Sequence, residues 1–208
     1  MESVEQVLRL TRLGRFGEAL RALDSSKPVS ARAEYAVLRA QILEQVGQYG
    51  PARMLATTLL KSKSLAPSHR SDCEAVLGRV LFDEGNTERG LSHLHRAALV
   101  AQQAADLRAL FGAKLYLLTI LSDRSGPAAG SSILADVRQI ATRLGDPEIT
   151  ARLHLFVAQA EAKRGLLENA KRHTSLASRI LKTSPNAFLV DRTNELYSDH
   201  AILRDGSA

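Results

Sequence analysis

Five glycines constrain what this chain can become. Gly14, Gly47, Gly85, Gly126 and Gly165 follow one another at steps of 33, 38, 41 and 39 residues, and Gly206 comes 41 later. Each stands between two stretches with a helical apolar pattern. A glycine inside a helix costs about 1 kcal/mol against alanine, so a series in phase belongs between helices. There it ends one helix in the left-handed conformation, where a Cβ would clash. Apolar runs of about four turns precede the markers, as in "EYAVLRAQILEQV", "CEAVLGRVLFDE" and "ARLHLFVAQAEAK". Second runs follow, as in "GPARMLATTLL", "TERGLSHLHRAALVAQQ" and "LENAKRHTSLASRILK". Five residues past each marker the side chain is very small: Ala19, Ala52, Gly90, Ser131 and Ala170. Two helices approach closely only where such residues cross.

Each unit therefore reads as helix, tight turn, helix. Abundant Ala and Leu, aromatics at only 4% and the absence of Trp favour helix packed on helix. The units fall at about 1–30, 31–67, 68–106, 107–147 and 148–186, with a half unit over 187–208. The connections "DSSKPVSA", "SKSLAPSH", "LGDPEI" and "KTSPNA" hold the Ser, Asp and Pro expected where one helix stops and another is capped. None is long enough for an interdomain linker, so one domain over 1–208 is expected.

These residues resemble the tetratricopeptide repeat (TPR) family, whose repeat carries Gly then an aromatic at the turn and Ala in the second helix. "LGRFGEALRAL" supplies Gly14, Phe16 and Ala19; "GQYGPARML" supplies Gly47, Tyr49 and Ala52. Leu77, Gly78, Gly85 and Ala97 match in the third unit, and Ala158, Gly165, Ala170 and Ala177 in the fifth. The fourth unit keeps only the small residues. Most steps exceed the family's usual ~34 residues, and the long second helices are similar to the subtype found in large bacterial transcription regulators and signalling proteins. The resemblance implies an all-α, right-handed α-solenoid of about five helix-turn-helix repeats plus one extra C-terminal helix. It also implies a protein-interaction scaffold, here the sensing or partner-binding arm of a larger bacterial regulator.

Residues 187–204 look like the first helix of a sixth unit. Phe188, Leu189, Leu196, Ile202 and Leu203 are too apolar for a solvated end cap. The expectation is that the chain is an N-terminal piece of something longer, or that this helix docks elsewhere. Self-association through Phe188, Leu196 and Leu203 is one form of that. No run approaches the ~20 apolar residues of a membrane span, and no secretory signal opens the chain; a cytoplasmic protein without membrane attachment is expected.

Chemistry-bearing motifs are missing. The single cysteine, Cys73, excludes an internal disulfide and any CxxC site, and is expected as a small buried apolar residue. His93 and His95 point about 200° apart on a helix. His69, His154, His173 and His200 form no HExxH and no i, i+4 pair, so each is expected as a separate surface or groove histidine. The segment "GPAAGSS" (126–132) lacks a P-loop lysine and coincides with a turn. No enzymatic activity, metal or cofactor is expected.

The resemblance places the binding groove on the first helix of each pair. Counting phase from the marker glycines, the inward positions are Val37, Gln41 and Glu44, then Ala75, Arg79 and Phe82, then Tyr116 and Ile120, then Leu155, Gln159 and Lys163. Family members that clamp a terminal carboxylate use Lys and Asn where Val37, Ala75 and Tyr116 stand here, which disfavours that ligand. A protein or peptide partner is expected. The net charge of +6, with 21 arginines to seven lysines, favours an acidic one. The alternative is nucleic acid on the convex face, where Arg89 with Arg96, and Arg172 with Arg179, are spaced by seven. Few and scattered aromatics argue against a base-stacking platform.

Overall fold

A computed structural model describes residues 4–25, 33–125, 130–183, 186 and 188–196, and every regular element among them is a helix. In chain order these are α1 (Val4–Arg12), α2 (Phe16–Ser25), α3 (Ala33–Gln45), α4 (Tyr49–Leu60), α5 (Pro67–Asp83), α6 (Thr87–Gln103) and α7 (Leu107–Ser125). They continue with α8 (Ser131–Leu144), α9 (Pro147–Lys163), α10 (Leu167–Leu181) and α11 (188–196). The chain groups into two compact units, 1–120 and 121–208, with the division inside α7.

The turns have one design. Gly47 has φ +75°; its N–H donates to the Glu44 carbonyl at 3.0 Å, and the Gln48 N–H donates to the Leu43 carbonyl at 2.8 Å. That is the Schellman arrangement, which satisfies carbonyls orphaned at a helix end. The pair recurs at Gly14 with Arg15, Gly85 with Asn86, and Gly165 with Leu166. The second residue of each pair immediately precedes the next helix, so only three residues separate one helix from the next. Gly126 and Gly206 lie outside the described residues.

Two left-handed turns were not marked by the phase. Gly145 (φ +60°) caps α8 ahead of Asp146, whose side chain accepts from the Glu148 and Ile149 N–H groups. Ala105 (φ +54°) makes the same Schellman pair with Asp106 between α6 and α7, and it carries a Cβ. Left-handed alanine costs about 1 kcal/mol. Ala105→Gly is therefore expected to raise the unfolding free energy by about 0.5 kcal/mol, and Gly85→Ala to lower it by about 1 kcal/mol. Urea denaturation followed by circular dichroism checks both signs.

Within the first unit, one core joins α3, α4 and α5 through Val37, Ala40, Leu43, Ala52, Ala56, Cys73, Val76, Leu77 and Val80. A second joins α1, α2 and α3 through Val7, Ala19, Leu23, Tyr35 and Ile42. Arg39 of α3 pairs with Asp24 of α2, and Ser71 Oγ donates to the Ala97 carbonyl at 2.9 Å between α5 and α6. The small-residue crossing is tight in the α5–α6 hairpin, where Gly78 faces Gly90. At equivalent phase Val7 with Ala19, Ala40 with Ala52, and Ala158 with Ala170 are fully buried.

Ser131 departs from that pattern: it is exposed. Helix α8 begins five residues after the marker position, not two as α2, α4, α6 and α10 do, so Ser131 is the first residue of its helix. The buried small residue there is Gly130.

In the second unit, α11 is integrated into a core. Leu189 and Leu196 are buried with Ala151, Leu155, Ala158, Ala177 and Leu181. Asn186, itself buried, accepts from the Leu189 N–H and starts the helix. Leu196 is thus packed inside this core. Phe188 is exposed, and Leu203 lies outside the described residues.

Candidate partner-binding face

The first helices of successive hairpins in the 1–120 unit, α3, α5 and α7, present a common face. Three of the phase-derived residues meet on it. Arg79 Nη2 lies 2.8 Å from Glu44 Oε2, with only 12% and 9% of the two side chains exposed, and the guanidinium carbon sits 4.6 Å from the centre of the Tyr116 ring. Arg79 Nε and Glu44 Oε2 have no hydrogen-bond partner among the described residues, so the contact is chiefly an ion pair. Burial alone would lower the Arg79 pKa, but the Glu44 carboxylate and Tyr116 hold it above its ordinary value. Arg79 is therefore permanently charged, in an ion pair reinforced by a cation–π contact.

Asp72, two turns before Arg79 on α5, belongs to the same electrostatic group. Burial pushes its carboxyl up, Asp106 adds to this, and Arg79 and His69 pull it back, leaving it at about 6 against an ordinary 3.8. Below pH 3.8 the carboxyl is protonated in both folded and unfolded chains. Between 3.8 and 6 only the unfolded chain releases its proton, so stability falls as pH rises through that window. Above 6 the penalty is complete. Asp72→Asn is therefore expected to raise the urea midpoint at pH 7.5 and leave it nearly unchanged at pH 4. The difference in unfolding free energy should be on the order of 2 kcal/mol.

The remaining phase-derived positions divide by burial. Val37, Ala75 and Ile120 are buried in the first unit and Leu155 in the second, so these four serve packing. Gln41 and Phe82 in the first unit and Gln159 in the second are partly exposed, and Lys163 is exposed.

Two of the histidines, His154 and His173, are not separate but paired with each other. In the second unit His154 Nδ1 lies 2.9 Å from His173 Nδ1, with ring centres 5.2 Å apart. One ring must donate from Nδ1 and the other accept on a bare Nδ1. Burial lowers both pKa values, helped at His154 by His173 and Arg138 and at His173 by Arg138, so the neutral acceptor ring this bond requires is favoured. In the first unit His93 Nδ1 meets Glu74 Oε2 at 2.6 Å. Both pairs span 19 residues and lie 80 apart in the chain, at one phase of the repeat. The signal was in the sequence, but in the repeat phase and not in any local motif. Among the described residues no group of three or more His, Cys, Asp or Glu is placed to hold a metal ion. Cys73 is buried, and burial with Asp72 and Glu74 pushes its thiol up to about 12, so it is no nucleophile at neutral pH. Among the described residues no helix is long and apolar enough to cross a membrane.

No protein-family model and no curated protein sequence matches the chain. Solved structures do. A crystal structure of MamA aligns over 88% of this chain and 98% of its own at 14% identity, with a TM-score of 0.50. Two crystal structures of Podosopora anserina putative kinesin light chain nearly identical TPR-like repeats, one of them a point variant, align at 16% identity with TM-scores of 0.54 and 0.52. They cover 86% and 87% of this chain and 93% and 94% of theirs. With Schellman-linked hairpins, small residues at the helix crossings and these neighbours, the chain has the all-α fold of the tetratricopeptide-like solenoid proteins.

Proposed function

We propose that the chain is a non-catalytic scaffold that binds a protein or peptide partner on the face of its first helices, one array over 1–208 in the cytoplasm. The observation that carries this reading is the Glu44–Arg79–Tyr116 cluster. A charged group, its counter-ion and an aromatic ring are gathered from three hairpins onto one face, beside the partly exposed Gln41 and Phe82. A lining of that kind offers polar groups for orientation and apolar area for anchoring. The steps of 38 to 41 residues and the 17-residue α6 support placing it in a larger bacterial regulatory protein, where such an arm senses or recruits.

The test is site-specific photo-crosslinking in cells. A benzophenone residue at Gln41, and separately at Gln159, is expected to give a discrete protein adduct, while one at the exposed His95 of α6 gives none. Adducts at His95 with none at Gln41 or Gln159 would remove the proposal.

A further inference from the structure

The second helices α4 and α6 of the first unit face each other across a groove of about 680 Å³ floored by α5. Its walls are two cationic stripes. Arg53, Thr57 and Lys61 line one side at a spacing of four; Arg89, His93 and Arg96 line the other at four and three. Leu60, Leu77 and Leu81 form the apolar part, and Glu74 is the single acidic lining residue. Glu74 is already engaged by His93 and, at 3.7 Å, by Arg96, while Arg53 holds Glu84 at 2.7 Å. Lys61 and Arg89 are exposed and have no ion pair or hydrogen bond on their charged ends among the described residues.

We infer that this groove is a second binding site, independent of the first-helix face, for an acidic peptide segment carrying aliphatic anchors. Against four cations and a histidine stand two engaged carboxylates, Glu74 of the lining and Glu84 beside it, which leaves Lys61 and Arg89 as an excess of positive charge on the walls. Each stripe runs about two helical turns, roughly 10 Å, which matches two turns of an acidic helix. The leucine floor selects for aliphatic side chains between the carboxylates. Nucleic acid is the poorer fit: the lining has no Phe, Tyr or Trp on which a base could stack. The exposed Arg53–Glu84 pair is cheap to exchange, since such pairs contribute only about 0–1 kcal/mol.

The test uses purified full chain and fluorescein-labelled EELLEELLE peptide, read by anisotropy at about 50 mM NaCl. Lys61→Glu/Arg89→Glu is expected to weaken binding about tenfold or more without changing the circular-dichroism melt. Arg172→Glu/Arg179→Glu on α10 makes the same change in net charge outside the groove and should leave binding within about twofold. EESSEESSE should bind clearly more weakly than the leucine peptide. The inference is overturned by absence of binding, by equal loss in both double variants, or by equal affinity for the serine peptide. It is also overturned if a thymidine oligonucleotide binds more tightly than the peptide with the same Lys61/Arg89 sensitivity. Crosslinking at Gln41 is untouched by any of these results, so the two sites stand or fall separately.

Discussion

Gly90→Val is expected to destabilise the first unit by about 3 kcal/mol or more, while Gly112→Ala stabilises it by about 0.5–1 kcal/mol. Both glycines lie inside helices, where a substitution gains helix propensity, so the surroundings decide the sign. A Cβ at Gly90 would stand 2.8 Å from the Gly78 carbonyl oxygen and 3.2 Å from the Phe82 backbone nitrogen. Those are backbone atoms of the facing helix and cannot swing aside; the helices must separate and open voids along their shared core. A Cβ at Gly78 would in turn meet Leu94 Cγ at 2.6 Å, and Leu94 is fully buried. At Gly112 nothing lies within 4 Å and φ is not positive. Urea unfolding of the two variants beside the parent checks the contrast. A Gly90→Val protein within about 1 kcal/mol of the parent would mean the α5–α6 crossing is looser than its geometry states.

How much of this could be read from the chain alone follows from what each feature demands of a residue. A left-handed turn demands glycine, so Gly14, Gly47, Gly85 and Gly165 announced themselves. Ala105 did not, because it adopts the same conformation against its preference and leaves no residue-type signature. The inward phase was legible only in part. A first helix packs against its own hairpin partner and against neighbouring hairpins, which leaves a narrow open stripe. Gln41 and Phe82 keep some exposure, whereas Val37, Ala75, Ile120 and Leu155 are enclosed. The contact between Glu44 and Arg79 joins helices 35 residues apart and depends on the stagger between hairpins, which no spacing within one helix encodes. His154 with His173 was recoverable, since the Glu74–His93 pair repeats its phase. The basic groove was half visible: Arg89 and Arg96 share a face of α6, but that Arg53 and Lys61 oppose them is a fact of packing.

Glu44→Ala is expected to cost the first unit about 3–5 kcal/mol, with Glu44→Leu/Arg79→Met recovering most of it. The asymmetry follows from desolvation. Arg79 is held charged in a site that gives it little water, and with Glu44 removed no carboxylate among the described residues remains within ion-pair distance of its guanidinium, although Asp72 still acts on it from further away. The cation–π contact to Tyr116 cannot replace it, being worth about 0.5–2 kcal/mol. Replacing both partners with apolar side chains of similar length removes the buried charge together with its counter-ion, so the double variant has no orphan to solvate. Denaturant midpoints of the two single variants and the double variant supply a double-mutant cycle; additive losses would mean that the pair is not coupled. The same double variant separates stability from recognition. If it folds as stably as the parent yet loses the adduct formed through Gln41, the ion pair serves the partner. If the adduct persists, the pair is an internal tie between α3 and α5, and recognition falls to Gln41, Phe82 and the Tyr116 ring.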